Sequence, residues 1–194
     1  MEGWAEYCDT IADGLARLAV TDRSGLAVPI ADAVAQWVAM TRAADAGGGS
    51  LYIVGNGGSA GMASHMAADA CKNGHLRAMS FSDVALLTAT ANDIAYDQVF
   101  ALPLQRLARP GDLLIAISSS GNSPNIVAAL EAARAIGLRA VTLTGMNAAN
   151  RARTLGELNF YVPLSRYGWT ESAHQVILHY WFDQYLCKHR QGAL

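Results

Sequence analysis

The spacing of apolar positions changes once along the chain, near residue 50. Before that point Ala, Leu, Ile, Val and Trp recur at helical intervals over 4–20 and again over 28–46, which predicts two helices. Pro29 stands near the start of the second, where a missing N–H is harmless. Asp22-Arg23-Ser24-Gly25 connects the two, and Gly47-Gly48-Gly49 ends the second. Beyond residue 50, short apolar runs alternate with helical segments. Strands are predicted at 51–54, 77–80, 113–117, 139–144 and 159–163. Helices are predicted at 59–72, 84–92, 98–108, 123–136, 147–155 and 171–189. Apolar strands separated by helices predict a parallel sheet covered on both faces. The expectation is an α/β fold in one domain spanning 1–194, with a helical pair over 1–48 and the α/β core over 49–194.

Composition narrows the class. The chain has 194 residues, 52% hydrophobic and only 15% charged, so a core is easily filled. Charge this sparse predicts that apolar helix faces are covered in an oligomer. The net charge is −2 with no basic cluster, which speaks against nucleic-acid binding. No apolar run approaches the roughly 18 residues a membrane helix needs. The acidic start, Met1-Glu2-Gly3-Trp4-Ala5-Glu6, lacks the pattern of a signal peptide. Cys8, Cys71 and Cys187 form no CxxC pair and read as free thiols in a reducing cytoplasm.

Two loops carry the chemical signal. Gly55-Asn56-Gly57-Gly58-Ser59 follows the run Leu51-Tyr52-Ile53-Val54, and Ser118-Ser119-Ser120-Gly121-Asn122-Ser123 follows Leu113-Leu114-Ile115-Ala116-Ile117. Each joins a strand to a helix, whose N-terminus offers unpaired N–H groups and a partial positive charge. Glycine lets the backbone approach a ligand, and serine hydroxyls add donors. Neither loop has the lysine of a P-loop or the spacing of a dinucleotide fingerprint. A phosphomonoester is therefore expected rather than a nucleotide. In parallel sheets such ligands sit at the carboxyl ends of the strands, where both loops lie.

Titratable groups supply a second candidate. His65 and Asp69 share a helix face at a spacing of four, and Glu171 and His179 stand eight apart on the last helix. Two histidines and two carboxylates suit a divalent metal or an acid–base pair. They are equally consistent with an exposed ion pair and a core histidine. His174 falls on another face of its helix and reads as structural, while His75 and His189 are expected at the surface. Thr144-Gly145 reads as a plain turn. Asn92-Asp93 ends a helix, and Asp93 lies near the site if that helix end faces the same rim.

These motifs together resemble a known family. Gly55–Ser59, His65, Asn92-Asp93, Ser118–Ser123, Leu143-Thr144-Gly145 and His179 follow the order and spacing of the sugar isomerase (SIS) domain, and more narrowly of its phosphoheptose isomerase branch. The resemblance implies a flavodoxin-like, five-stranded parallel sheet and a homotetramer with shared active sites. It implies an aldose–ketose isomerase of a sugar phosphate such as sedoheptulose 7-phosphate, working through an enediol. It places Gly57, Gly58, Ser59, Ser118, Ser119, Ser120 and Ser123 around the phosphate, with Asn56, Asp93 and Glu171 on the substrate. Asp69 becomes the base and His179 the acid, and His65, Asp69, Glu171 and His179 become ligands for a divalent metal, zinc. Two positions and one stretch depart from the family pattern. Asp69 replaces glutamate, Glu171 replaces glutamine, and Ala70-Cys71-Lys72-Asn73 replaces Leu-Thr-Gly-Arg, with Lys72 one place out of register. The alternative within the family is a non-catalytic tetramer that binds phosphosugars or a replication initiator.

Overall fold

The structure is a computed structural model describing residues 3–190, with side chains described up to 187. Met1, Glu2 and the His189 side chain therefore lie outside the described residues. In chain order the elements are α1 Trp4–Ala16, β1 Ala19–Asp22, α2 Ile30–Ala46, β2 Leu51–Gly55, α3 Gly58–Lys72, β3 Ala78–Ser80, α4 Val84–Asp93, α5 Ala101–Leu107, β4 Leu113–Ser118, α6 Pro124–Ile136, β5 Arg139–Gly145, β6 Leu158–Val162 and α7 Tyr167–Arg190. The sheet order is β1-β6-β5-β4-β2-β3. The five strands from β2 onward are parallel, as expected, and run in the flavodoxin-like order.

A sixth strand, β1, corrects the sequence reading. The first helix stops at Ala16 instead of continuing to residue 20, and 19–22 pairs antiparallel with β6. The β-branched pair Val20-Thr21 disfavours helix and suits the open edge of β6. Val20 buries its side chain opposite Phe160, and Val28 N–H closes the following turn on Val20 C=O at 2.9 Å. Asp22 Oδ1 holds that turn by accepting from Ser24 N at 2.9 Å and Leu26 N at 3.0 Å. The helix expected over 147–155 shrinks to one 3-10 turn, Arg151–Thr154.

The strands alternate their side chains between two cores. Leu51, Ile53, Leu113, Ile115, Ile117, Val141 and Leu143 face α2, α3 and α7. Tyr52, Val54, Leu114, Ala116 and Ala140 face α5 and α6. The first core is anchored by aromatics. Trp37 of α2 stacks on Trp181 of α7 with centroids 4.6 Å apart and meets Phe160 at 5.1 Å. Full burial of each such ring contributes on the order of 3 kcal/mol. This packing fixes α7 beside α3, and that juxtaposition builds the site.

Candidate active site

Strands β2 and β4 are neighbours in register, with Gly55 opposite Ile117. Their outgoing loops therefore emerge side by side at the switch point of the sheet, where the chain winds away in opposite directions. After β2, Gly57 adopts φ +56° and ψ −121°, a conformation glycine alone takes readily, and α3 begins at the next residue. After β4, Ser123 precedes α6, with Pro124 in the first helical position. The pocket between them is lined by Asn56, Ser59, Ile117, Ser118, Ser119, Ser120, Ser123, Tyr167 and Glu171. Ser118 Oγ lies 3.3 Å from Ser123 Oγ and accepts from Gly121 N at 3.2 Å. The buried Ser119 Oγ has no hydrogen-bond partner among the described residues. Buried hydroxyls normally find partners, so this one is available to a ligand oxygen.

Asn56 is held on its far side. Its Nδ2 donates to Asn125 Oδ1 at 2.9 Å, while its Oδ1 accepts from Asn125 Nδ2 at 2.8 Å and from Tyr96 Oη at 3.2 Å. Asp93 is exposed at the end of α4, accepts from Asn92 Nδ2 at 2.7 Å, and is not among the pocket-lining residues. Tyr96, three residues further on, is what ties that segment to the cradle. Lys72 is exposed in the last turn of α3, away from the lining residues.

The second group of residues lies along α3 and α7, which run in parallel. Gly58 faces Glu171 at one level, and His65 faces His179 further along. The imidazole centroids are 5.4 Å apart at 65°, and His65 Nε2 lies 3.4 Å from Asp69 Oδ2. One ligand atom from each of His65, Asp69 and His179 falls within 4.8 Å of the other two. Two imidazoles and a carboxylate form the donor set of an open, three-ligand catalytic metal site. The same groups can relay protons.

Glu171 stands apart from that trio. A Cβ added to Gly58 would lie 2.5 Å from its Oε2, so the carboxylate rests on the first turn of α3, in the wall of the serine pocket. Eight residues of α7, about 12 Å of rise, separate it from His179. The helix dipole favours an anion at that end of α3. His174 is fully buried, and its Nε2 lies 3.1 Å from Thr144 C=O. Burial pushes its pKa down to about 4, against a smaller upward pull from the Thr144 carbonyl. It is a neutral donor tying α7 to β5. His75 is exposed.

Sequence reading passed over Asn125, Tyr167 and Tyr96. Asn125 had a signal: it is an amide in the first turn of a helix, two residues after the serine loop. Tyr167 and Tyr96 had none, because long-range packing alone brings them to the pocket.

The SIS domain family model matches residues 6–145. A phosphoheptose isomerase from Alteromonas mediterranea is 38% identical over 140 residues, covering 68% of this chain and 71% of that protein. Another, from Aromatoleum aromaticum, is 35% identical over 172 residues, covering 84% and 85%. Among solved structures, phosphoheptose isomerase GmhA from Neisseria gonorrhoeae matches with a TM-score of 0.79 and 26% identity over 94% of each chain.

Proposed function

Because the chain belongs to the SIS domain family, in its phosphoheptose isomerase branch, we propose that it interconverts an aldose and a ketose phosphate, sedoheptulose 7-phosphate or a related sugar. One observation carries the reading: the helix pair α3 and α7 contributes Ser59 and Glu171 to a serine-lined pocket and, further along, His65, Asp69 and His179 to a cluster of titratable groups. Ser118, Ser119, Ser120, Ser123 and Ser59 hold the phosphate, helped by the N-termini of α3 and α6. Gly57 and Gly58 let the backbone come close. Asn56 contacts the sugar chain from the pocket wall, while Asp93, expected beside it, stands exposed at the end of α4 outside the lining residues. Asp69 takes the proton from the carbon next to the carbonyl, giving the enediol. His179 delivers a proton to the carbonyl oxygen. The proton on Asp69 then goes to the former carbonyl carbon, while the hydroxyl on the carbon first deprotonated loses its proton to His179 and becomes the new carbonyl. Both groups must lie within hydrogen-bond reach of the reacting atoms.

Two imidazoles and one carboxylate fit a divalent ion such as zinc, and His65, Asp69 and His179 would hold it; an ion bound there would weaken Asp69 as a base and occupy a ring nitrogen of His179, so the metal and proton-transfer roles compete. When bound, such an ion polarises the sugar carbonyl. Glu171, expected in both the metal and substrate sets, we assign to the wall of the cradle. We also place the protein in the cytoplasm, in keeping with three exposed, unpaired cysteines, and in a homotetramer to which the helical pair contributes.

The test is proton exchange at the carbon beside the carbonyl, followed in D2O on a panel of ketose and aldose phosphates. Asp69→Asn and His179→Ala should each lower the rate by at least about 100-fold. Full activity in both variants would sink the mechanism. No exchange on any sugar phosphate, with binding retained, would assign the chain to the binding-only members.

A further inference from the structure

The cradle is built from two loops that belong to different strands and have no covalent connection nearby. A pair of carboxamides joins them, and one of the two, Asn56, lines the pocket. Asn56 leaves β2, Asn125 opens α6, and the two side chains exchange hydrogen bonds in both directions, at 2.9 and 2.8 Å. Asn125 is 1% exposed, although it sits in the first turn of a helix whose neighbour Pro124 faces solvent. A buried amide in that place demands partners, and Asn56 is the one recorded for both of its polar atoms. Ser59, Ser118, Ser119, Ser120 and Ser123 line the same pocket as Asn56.

Counting valences shows what the clasp does. A carboxamide has two N–H donors and two acceptor lone pairs. Asn56 Oδ1 receives Asn125 Nδ2 and Tyr96 Oη, so both lone pairs are used. One Nδ2 hydrogen goes to Asn125 Oδ1. A single N–H remains, on a residue that lines the pocket. An amide held this way offers a donor and no acceptor, which suits a carbonyl or hydroxyl oxygen of the substrate. It gives nothing to a substrate hydrogen.

We propose that Asn125 is a positioning residue for substrate binding: it clamps the Asn56 carboxamide so that one N–H points at a substrate oxygen, and it locks the two halves of the phosphate cradle in register. The inference rests on the reading of this pocket as the sugar-phosphate site. Asn125 itself acts through Asn56. Tyr96, which is exposed, supports the same orientation from the α4 side.

The test is a double-mutant cycle with Asn56→Ala, Asn125→Ala and the double variant, assayed for kcat and KM on sedoheptulose 7-phosphate. Loss of one oriented hydrogen bond made equally to substrate and transition state raises KM about tenfold and leaves kcat within about twofold. Asn56→Ala should do the same, and the double variant should be no worse than Asn56→Ala alone. Additive losses would overturn the proposal, because Asn125 would then act independently of Asn56. If Asn125→Ala does not fold, Asn125→Ser keeps a small polar side chain without added charge and is too short to hold both Asn56 atoms. A second measurement needs no substrate: side-chain amide hydrogen exchange of 15N-labelled Asn56 in the free protein. Its protected N–H should exchange at least about tenfold faster in the Asn125 variant. Unchanged exchange overturns the clamp whatever the enzyme's substrate. Failure of the wild-type protein to turn over or bind any sugar phosphate, with the protection confirmed, would instead overturn the functional reading.

Discussion

At the scale of single residues, two ionisable groups set measurable properties. His174 titrates near 6.5 when unfolded and near 4 when buried against Thr144. Between those values the unfolded chain binds the extra proton, so stability rises with pH across that window. Its contribution is complete above about pH 6.5 and is lost as the pH falls towards 4, by on the order of 3 kcal/mol. Denaturant unfolding at pH 7 and pH 4.5 should show this drop, and His174→Gln should shrink it; an identical drop in the variant would assign it to other groups. Glu171 makes the second case. Its carboxylate lies on the first turn of α3, inside the pocket expected to hold a dianion. Glu171→Gln removes that like charge and should tighten inorganic phosphate binding by about five- to tenfold in a calorimetric titration. Weaker binding would mean that the carboxylate serves the ligand. The residue identities were legible in the sequence, including the departures at Asp69 and Glu171. Their separation into two sites was not, because it depends on the level at which α3 and α7 meet.

At the scale of elements, α7 holds most of the arrangement together. Trp181 is fully buried between Trp37 and Phe182, with centroids at 4.6 and 5.8 Å. Trp181→Ala should cost about 3–5 kcal/mol in unfolding free energy, since the surrounding helices cannot close the cavity. Activity should fall alongside, because His179 lies on the same helix. Strands β2, β3, β4, β5 and β6 and the long helices were legible from period and length. The exception, β1, is instructive. Val20-Thr21 continues an apolar helical pattern, and only the free edge of β6 turns it into a strand. Edge pairing is non-local, so no window of sequence contains its cause.

At the scale of the whole molecule, the described surface keeps large apolar side chains in solvent, including Trp4, Val84, Ile94, Tyr96, Tyr167, Val176 and Tyr180. The proposed homotetramer would cover side chains of this kind. Light scattering after size exclusion should give about four times the chain mass of 20.5 kDa; a monomer would remove the tetramer from the proposal. Elemental analysis of the purified protein should find about one divalent ion per chain, reduced by His65→Ala. No described helix is long and apolar enough to cross a membrane. By itself the sequence determined the α/β class, the family, the two glycine- and serine-rich loops, and which residues are candidates for proton transfer. These are written in local periodicity and in short motifs whose backbone chemistry needs no distant partner. Tertiary structure alone decided that β1 closes the sheet edge and that Glu171 leaves the His65–Asp69–His179 trio for the cradle. It also decided that Asn125 grips Asn56. Each of these depends on the lateral register of elements far apart in the chain, which is set by core packing around Trp37 and Trp181.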